Sequence, residues 1–126
     1  MFKKWTYKLL IENTLDRDLV LINNTCPYGK LKCVDETIPA KGGRGSVEVI
    51  SPAGAPYGLQ ISVTYGDKHN KNEASYGTFT VNIDVPLIEN NKSSCETTGI
   101  IMVDGFKELP KRGHDFQQSV TITSKL

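Results

Sequence analysis

The groups in this chain that could carry out chemistry are few. Its 126 residues include two histidines, His69 and His114, and three cysteines, Cys26, Cys33 and Cys95. Catalysis needs groups with complementary roles held together, such as a nucleophile, its base and an oxyanion stabiliser. Each histidine instead lies in a polar run, His69 in Gly66-Asp67-Lys68-His69-Asn70-Lys71 and His114 in Lys111-Arg112-Gly113-His114-Asp115, the setting of a solvated loop residue. A Ser–His–Asp set can be drawn on paper around His114, but no Gly-x-Ser-x-Gly elbow presents a nucleophile to it. No catalytic residue is assigned, and the chain is expected not to be an enzyme.

Metal and phosphate chemistry fare no better. Asp67, Asn70, Asn72 and Glu73 offer oxygen ligands for calcium, but without the order of an EF-hand loop. Cys26 and Cys33 are spaced as C-x6-C, wider than the usual zinc pair, and no histidine is spaced to complete a set. Lys41-Gly42-Gly43-Arg44-Gly45-Ser46 is rich in glycine but lacks the order of a phosphate loop, and a strand follows it where a helix would be needed. No metal and no cofactor is expected. An odd cysteine count argues for reduced thiols, with a Cys26–Cys33 bridge across the Pro27–Gly29 turn left open. Asn23-Asn24-Thr25 and Asn91-Lys92-Ser93 match the glycosylation sequon, a pattern common by chance.

What remains is a set of aromatic and cationic loop residues. Tyr28 lies in Cys26-Pro27-Tyr28-Gly29-Lys30, Tyr57 in Gly54-Ala55-Pro56-Tyr57-Gly58, and Tyr76 between Ser75 and Gly77. A tyrosine on a rigid turn is a good contact residue, because its ring is amphipathic and loses little entropy on binding. The alternative is that each tyrosine caps one end of a core. Lys41, Arg44, Lys68 and Lys71 lie in the polar loops and could meet an anionic surface. These seven residues are the ligand- or membrane-contact candidates.

The elements that must position them are strands. Apolar residues alternate with polar ones in Leu59–Tyr65, Phe79–Val85 and Val120–Thr123, the period of a half-buried strand. Thr6–Glu12, Asp18–Asn23, Lys30–Val34, Gly45–Ile50 and Gly99–Val103 are further strands. Turn residues separate them at 13–16, 27–29, 41–43, 52–56, 67–72 and 89–94. The stretch Asp104–Arg112 has room for one short helical turn at most. About eight short strands at this spacing predict an all-β, two-sheet antiparallel sandwich, with residues 1–126 forming one domain.

Composition bounds the partners. The chain carries 15 basic and 14 acidic residues and is 38% hydrophobic, so it lacks the basic excess of a nucleic-acid binder. Its apolar runs are far shorter than the roughly 20 residues of a membrane-spanning helix. The opening residues have lysines but no apolar stretch after them. The expectation is a protein secreted by an unconventional route, or one whose leader has been replaced by Met1, and otherwise a cytosolic one.

The pattern resembles the aegerolysin-type β-sandwich family, which includes membrane-binding proteins and the small components of two-part insecticidal toxins. The likeness rests on Ile11-Glu12-Asn13-Thr14 leading to Asp18-Leu19-Val20-Leu21, and on Tyr28-Gly29-Lys30. It rests also on Glu36-Thr37-Ile38-Pro39 leading to Gly43-Arg44-Gly45, and on Tyr76-Gly77-Thr78-Phe79 leading to Ile83-Asp84-Val85-Pro86. No individual lipid-contact residue is carried over from it. The resemblance implies recognition of membrane lipid, with a larger pore-forming protein as partner. Two further readings stand beside it: a carbohydrate- or protein-binding sandwich such as a lectin or secreted effector, and a self-assembling structural domain. The last predicts a homo-oligomer with an edge strand such as Tyr7–Ile11 buried between chains.

Overall fold

The computed structural model describes residues 4–52 and 55–125. Residues 1–3, Ala53, Gly54 and Leu126 lie outside the described residues, so the lysine-bearing start and the tip of the 52–56 turn are seen only in part. The strands are β1 (Trp5–Asn13), β2 (Leu19–Tyr28), β3 (Lys30–Val34), β4 (Thr37–Ile38), β5 (Gly43–Ser51), β6 (Leu59–Asp67), β7 (Thr78–Val85), β8 (Lys92–Thr97), β9 (Ile101–Asp104) and β10 (Asp115–Ser124). They form two five-stranded sheets, the first in the order β3-β5-β1-β10-β9 and the second in the order β4-β2-β6-β7-β8. The all-β two-sheet sandwich is the fold, with more strands than the alternation alone predicts.

Alternation fixes which faces meet. Tyr7, Leu9 and Ile11 of β1 point inward with Val47 and Val49 of β5 and Val120 and Ile122 of β10. Leu59, Ile61, Val63 and Tyr65 of β6 and Phe79, Val81, Ile83 and Val85 of β7 meet them from the other sheet. Burying each such side chain stabilises the fold by about 1.5–3 kcal/mol. The two largest polar groups in this core each find an acceptor: the Tyr7 hydroxyl donates to Gln118 Oε1 at 2.6 Å and the Tyr65 hydroxyl to the Asp35 carbonyl at 2.6 Å. Burial pushes both phenols well above their ordinary pKa, so they remain neutral donors.

The structure departs from the sequence expectations in five places. β2 runs on through the predicted turn to Tyr28, because register shifts at Leu21/Asn23 and Thr25/Tyr28 bulge the strand and let Pro27 sit where no ladder donor is required. β8 occupies part of the predicted 89–94 turn: an edge strand needs only one inward row, here Ser93 and Cys95. The two-residue β4 is too short to leave a periodic signal. The pairing is not wholly antiparallel, since β1 and β10 run parallel, from Thr6 opposite Asp115 to Asn13 opposite Ile122. β1 is therefore central in its sheet, which corrects the expectation that Tyr7–Ile11 forms an exposed edge.

No helical turn follows Asp104. Residues 105–114 instead form an irregular loop across the open side between β8 and β9, with Leu109 buried and Phe106 packed on the core. The Leu109 amide donates to Ser93 Oγ at 2.8 Å, which ties this loop to the second sheet. Cys26, Cys33 and Cys95 are all free, and burial raises the pKa of the Cys26 and Cys95 thiols. Asn91 of the second sequon is buried, its Nδ2 donating to the carbonyls of Pro110 and Gly113 at 3.1 Å each, whereas Asn23 is exposed.

Candidate functional site

The sandwich has two ends, and the seven contact candidates do not share one. Tyr28 and Tyr57 come together where β2 gives way to β3 and the loop after β5 returns to β6. Their ring centroids are 6.0 Å apart. Lys41, Lys68, Lys71 and Tyr76 belong to the opposite end, whose backbone ties include Lys41 N–H to the Leu15 carbonyl and Lys68 N–H to the Asp18 carbonyl. Arg44 lies on β5 opposite Glu12.

At the first end, two glycines fix the geometry. Gly29 adopts a φ of +94° between two strands of different sheets, and a Cβ there would press on the Ile50 carbonyl. Gly58 lies so close to the Val85 carbonyl that any side chain would overlap it. The buried Ser51 hydroxyl donates to the Tyr57 carbonyl at 3.1 Å, holding that loop across the end of β5. Pro86 then ends β7, and the next two residues turn outward: Leu87 is 45% exposed and Ile88 is 87% exposed. Asn91 anchors the far side of this loop through its bonds to the Pro110, Lys111 and Gly113 carbonyls.

The result is an amphipathic end. Tyr28, Tyr57, Leu87 and Ile88 are four of the six exposed large apolar side chains among the described residues. They border an open groove of about 430 Å³. Around Ile88 the surface continues into a smaller hollow of about 180 Å³, bounded by Trp5, Lys111, Arg112 and His114. Trp5 and His114 meet edge-to-face, 5.7 Å apart. Lys111, Arg112 and Lys30 are exposed at the same end. Asp84 and Glu89 line the groove as well, so the rim carries both signs of charge. Clustered exposed apolar groups mark an interaction surface, because a solvated loop gains nothing from displaying Leu and Ile. Leu87 and Ile88 are the residues that sequence reasoning missed. The available signal was an apolar pair stranded between a strand-ending proline and the polar run Glu89-Asn90-Asn91.

The opposite end is a tied-down polar hub. Asp67 Oδ1 accepts from the Ser75 hydroxyl at 2.8 Å, the Tyr76 amide at 2.9 Å and the Gly77 amide at 3.1 Å. Its Oδ2 pairs with Arg17 at 2.9 Å. Arg17 also bonds the Ala74 carbonyl at 2.7 Å, pairs with Glu73 at 3.0 Å and stacks 3.6 Å above the Tyr76 ring. The Tyr76 hydroxyl donates to Asp16. Tyr76 thus has one ring face covered, and the Asp67 oxygens considered for calcium are taken by protein donors. Among the described residues no group of acidic, histidine or cysteine side chains is placed to hold a metal. His69 is near Asp67, and His114 is at the other end beside Trp5.

Burial alone would push the Asp67 carboxyl up, but the bonds from the Tyr76 amide, Ser75, Arg17 and the Gly77 amide outweigh it and hold the pKa at about 2. A carboxyl whose pKa is depressed on folding adds stability above its unfolded pKa, and loses it as pH falls toward the folded value. The melting temperature should therefore fall between pH 4 and pH 2 by the equivalent of roughly 2 kcal/mol from this group. Thermal melts of the wild type and of Asp67→Asn across that range check this: the variant should start lower and show a shallower slope.

No protein-family model matches the chain, and no curated protein matches it in sequence. Solved structures do share its architecture. IP-1A from Alcaligenes faecalis is similar with a TM-score of 0.72 and 9% sequence identity, over 97% of this chain and 92% of that one. RahU protein, solved in complex with a Tris molecule, gives a TM-score of 0.57 and 15% identity over 94% and 95% of the two chains. The lipid binding protein Nakanori gives 0.60 and 10% identity over 94% of this chain and 69% of that one. At such identities the likeness is one of fold alone, the all-β sandwich described above.

Proposed function

We propose that the protein is a non-enzymatic binding protein that docks on membrane lipid through the Tyr28–Tyr57–Leu87–Ile88 end. The observation that carries this reading is the gathering of four exposed apolar side chains at one end, with Lys30, Lys111 and Arg112 exposed beside them. Nakanori, which has the same fold, is a lipid binding protein, and this supports lipid as the ligand class. Tyrosine rings suit the headgroup region, being apolar in body and polar at the tip. Inserting Leu87 and Ile88 would contribute about 1.5–3 kcal/mol each if fully buried. Lys30, Lys111 and Arg112 would add about 1 kcal/mol each over an anionic leaflet.

No helix among the described residues is long and apolar enough to cross a membrane. The reading is of attachment at the surface through the apolar end, with an oligomer or a larger pore-forming partner where a bilayer is permeabilised. Co-sedimentation with sphingolipid, sterol-containing, anionic and plain phosphatidylcholine vesicles tests the reading. Binding to at least one class supports it; failure to bind any sinks it.

Tyr28→Ala and Tyr57→Ala should each weaken vesicle binding by about fivefold, as expected for losing about 1 kcal/mol of interfacial contact. Both side chains are exposed, so circular dichroism and the melting temperature should stay close to wild type. Unchanged binding in both variants would move the docking surface elsewhere.

A further inference from the structure

We infer that the polar groove on the outer face of the second sheet binds a hexose, making the membrane target of the neighbouring end a glycolipid. This rests on the membrane-docking reading. The groove measures about 330 Å³, within the range of small-ligand sites. Its floor comes from four adjacent strands whose outward residues fall in register: Thr25 lies opposite Ser62, Gln60 opposite Asp84, Ser62 opposite Asn82, Asn82 opposite Ser94, and Asp84 opposite Lys92. The Ser62 hydroxyl donates to Asn82 Oδ1 at 2.6 Å, and Asn82 Nδ2 donates to Ser94 Oγ at 3.1 Å. Those bonds hold the central amide in one orientation.

Around that fixed amide, the side chains of Gln60, Asp84 and Lys92 make no protein hydrogen bond or ion pair among the described residues, although all three line the groove. They present an amide that donates and accepts, a carboxylate that accepts, and an ammonium that donates. A hexose is a ring of neutral hydroxyls, each both donor and acceptor, and such a mixed set complements it. A phosphate headgroup fits poorly, because Asp84 would repel it and Lys92 is the one cation lining the groove among the described residues.

The groove also joins the apolar end: Gln60 and Asp84 line both it and the groove beside Tyr28, Tyr57, Leu87 and Ile88. A headgroup bound by Gln60 and Asp84 would sit beside side chains suited to its lipid.

The test pairs phosphatidylcholine vesicles, with and without galactosylceramide or glucosylceramide, with NMR titrations of the labelled protein using the methyl glycosides of the same sugars. One cerebroside should raise vesicle affinity about tenfold. Asp84→Ala should remove that gain, and the exposed edge-strand change Lys92→Ala, outside the docking groove, should remove it while leaving binding to plain vesicles unchanged. The matching methyl glycoside should shift the side-chain amide signals of Gln60 and Asn82. Equal affinity with and without either cerebroside, together with unmoved amide signals, would overturn the inference while leaving the membrane reading intact. Shifted amide signals without vesicle binding would instead keep the hexose site and remove the membrane reading.

Discussion

Replacing Leu87 and Ile88 together by Asp should lower vesicle affinity about a hundredfold, without lowering the melting temperature. The two side chains are 45% and 87% exposed, so folding gains little from them and loses little when they go. In the proposed docked state they leave water. If each contributes about 1.5 kcal/mol on insertion, removing both costs about 3 kcal/mol, a factor of roughly a hundred in affinity. Two added carboxylates in the headgroup region make the loss larger over anionic lipid. Vesicle titrations of wild type and variant measure the ratio. A variant within threefold of wild type would mean that this loop does not enter the bilayer.

Asp67→Ala should produce the largest loss of stability among single changes at the opposite end. The carboxylate side chain is fully buried and accepts hydrogen bonds from Ser75, two backbone amides and Arg17. Truncation strands those donors together, and leaving such groups unpaired costs about 3 kcal/mol or more. For a domain of this size the melting temperature should fall by roughly 10 °C. Ser75→Ala removes a single donor and should cost about 1 kcal/mol. Because this hub lies at the other end from Leu87 and Ile88, Asp67→Ala assayed below its melting point should still bind vesicles like wild type. A melting point within 2 °C of wild type, on the order of 0.5 kcal/mol, would show that the hub is not a stabilising unit.

These two expectations draw on features of unequal legibility. Strands β6 and β7 are plain in the sequence because each carries an uninterrupted apolar-polar alternation that the burial pattern reproduces. The edge strand β8 is not, since Lys92-Ser93-Ser94 has the composition of a turn and becomes a strand only by pairing with β7. Pro27 reads as a break, yet a bulge absorbs it. Tyr28 and Tyr57 are visible as aromatics on Pro/Gly turns; that they meet at 6.0 Å depends on which strands adjoin, a tertiary fact. Leu87 and Ile88 look like core residues by type, and only the position of the strand end at Val85 turns them into surface. Asp67 looks like a solvated loop charge because its partner Arg17 lies fifty residues earlier in the chain.

The central claim, that the Tyr28–Tyr57–Leu87–Ile88 end meets the bilayer, is tested most directly by an environment-sensitive fluorophore. All three native cysteines would be changed to Ser, and the label attached through Ile88→Cys in one protein and Lys71→Cys at the opposite end in another. On adding vesicles that the unlabelled protein binds, the label at position 88 should shift to the blue and become shielded from an aqueous quencher, while the label at position 71 stays in water. Burial of the label at 71 with that at 88 left exposed, or no difference between them, would contradict the account.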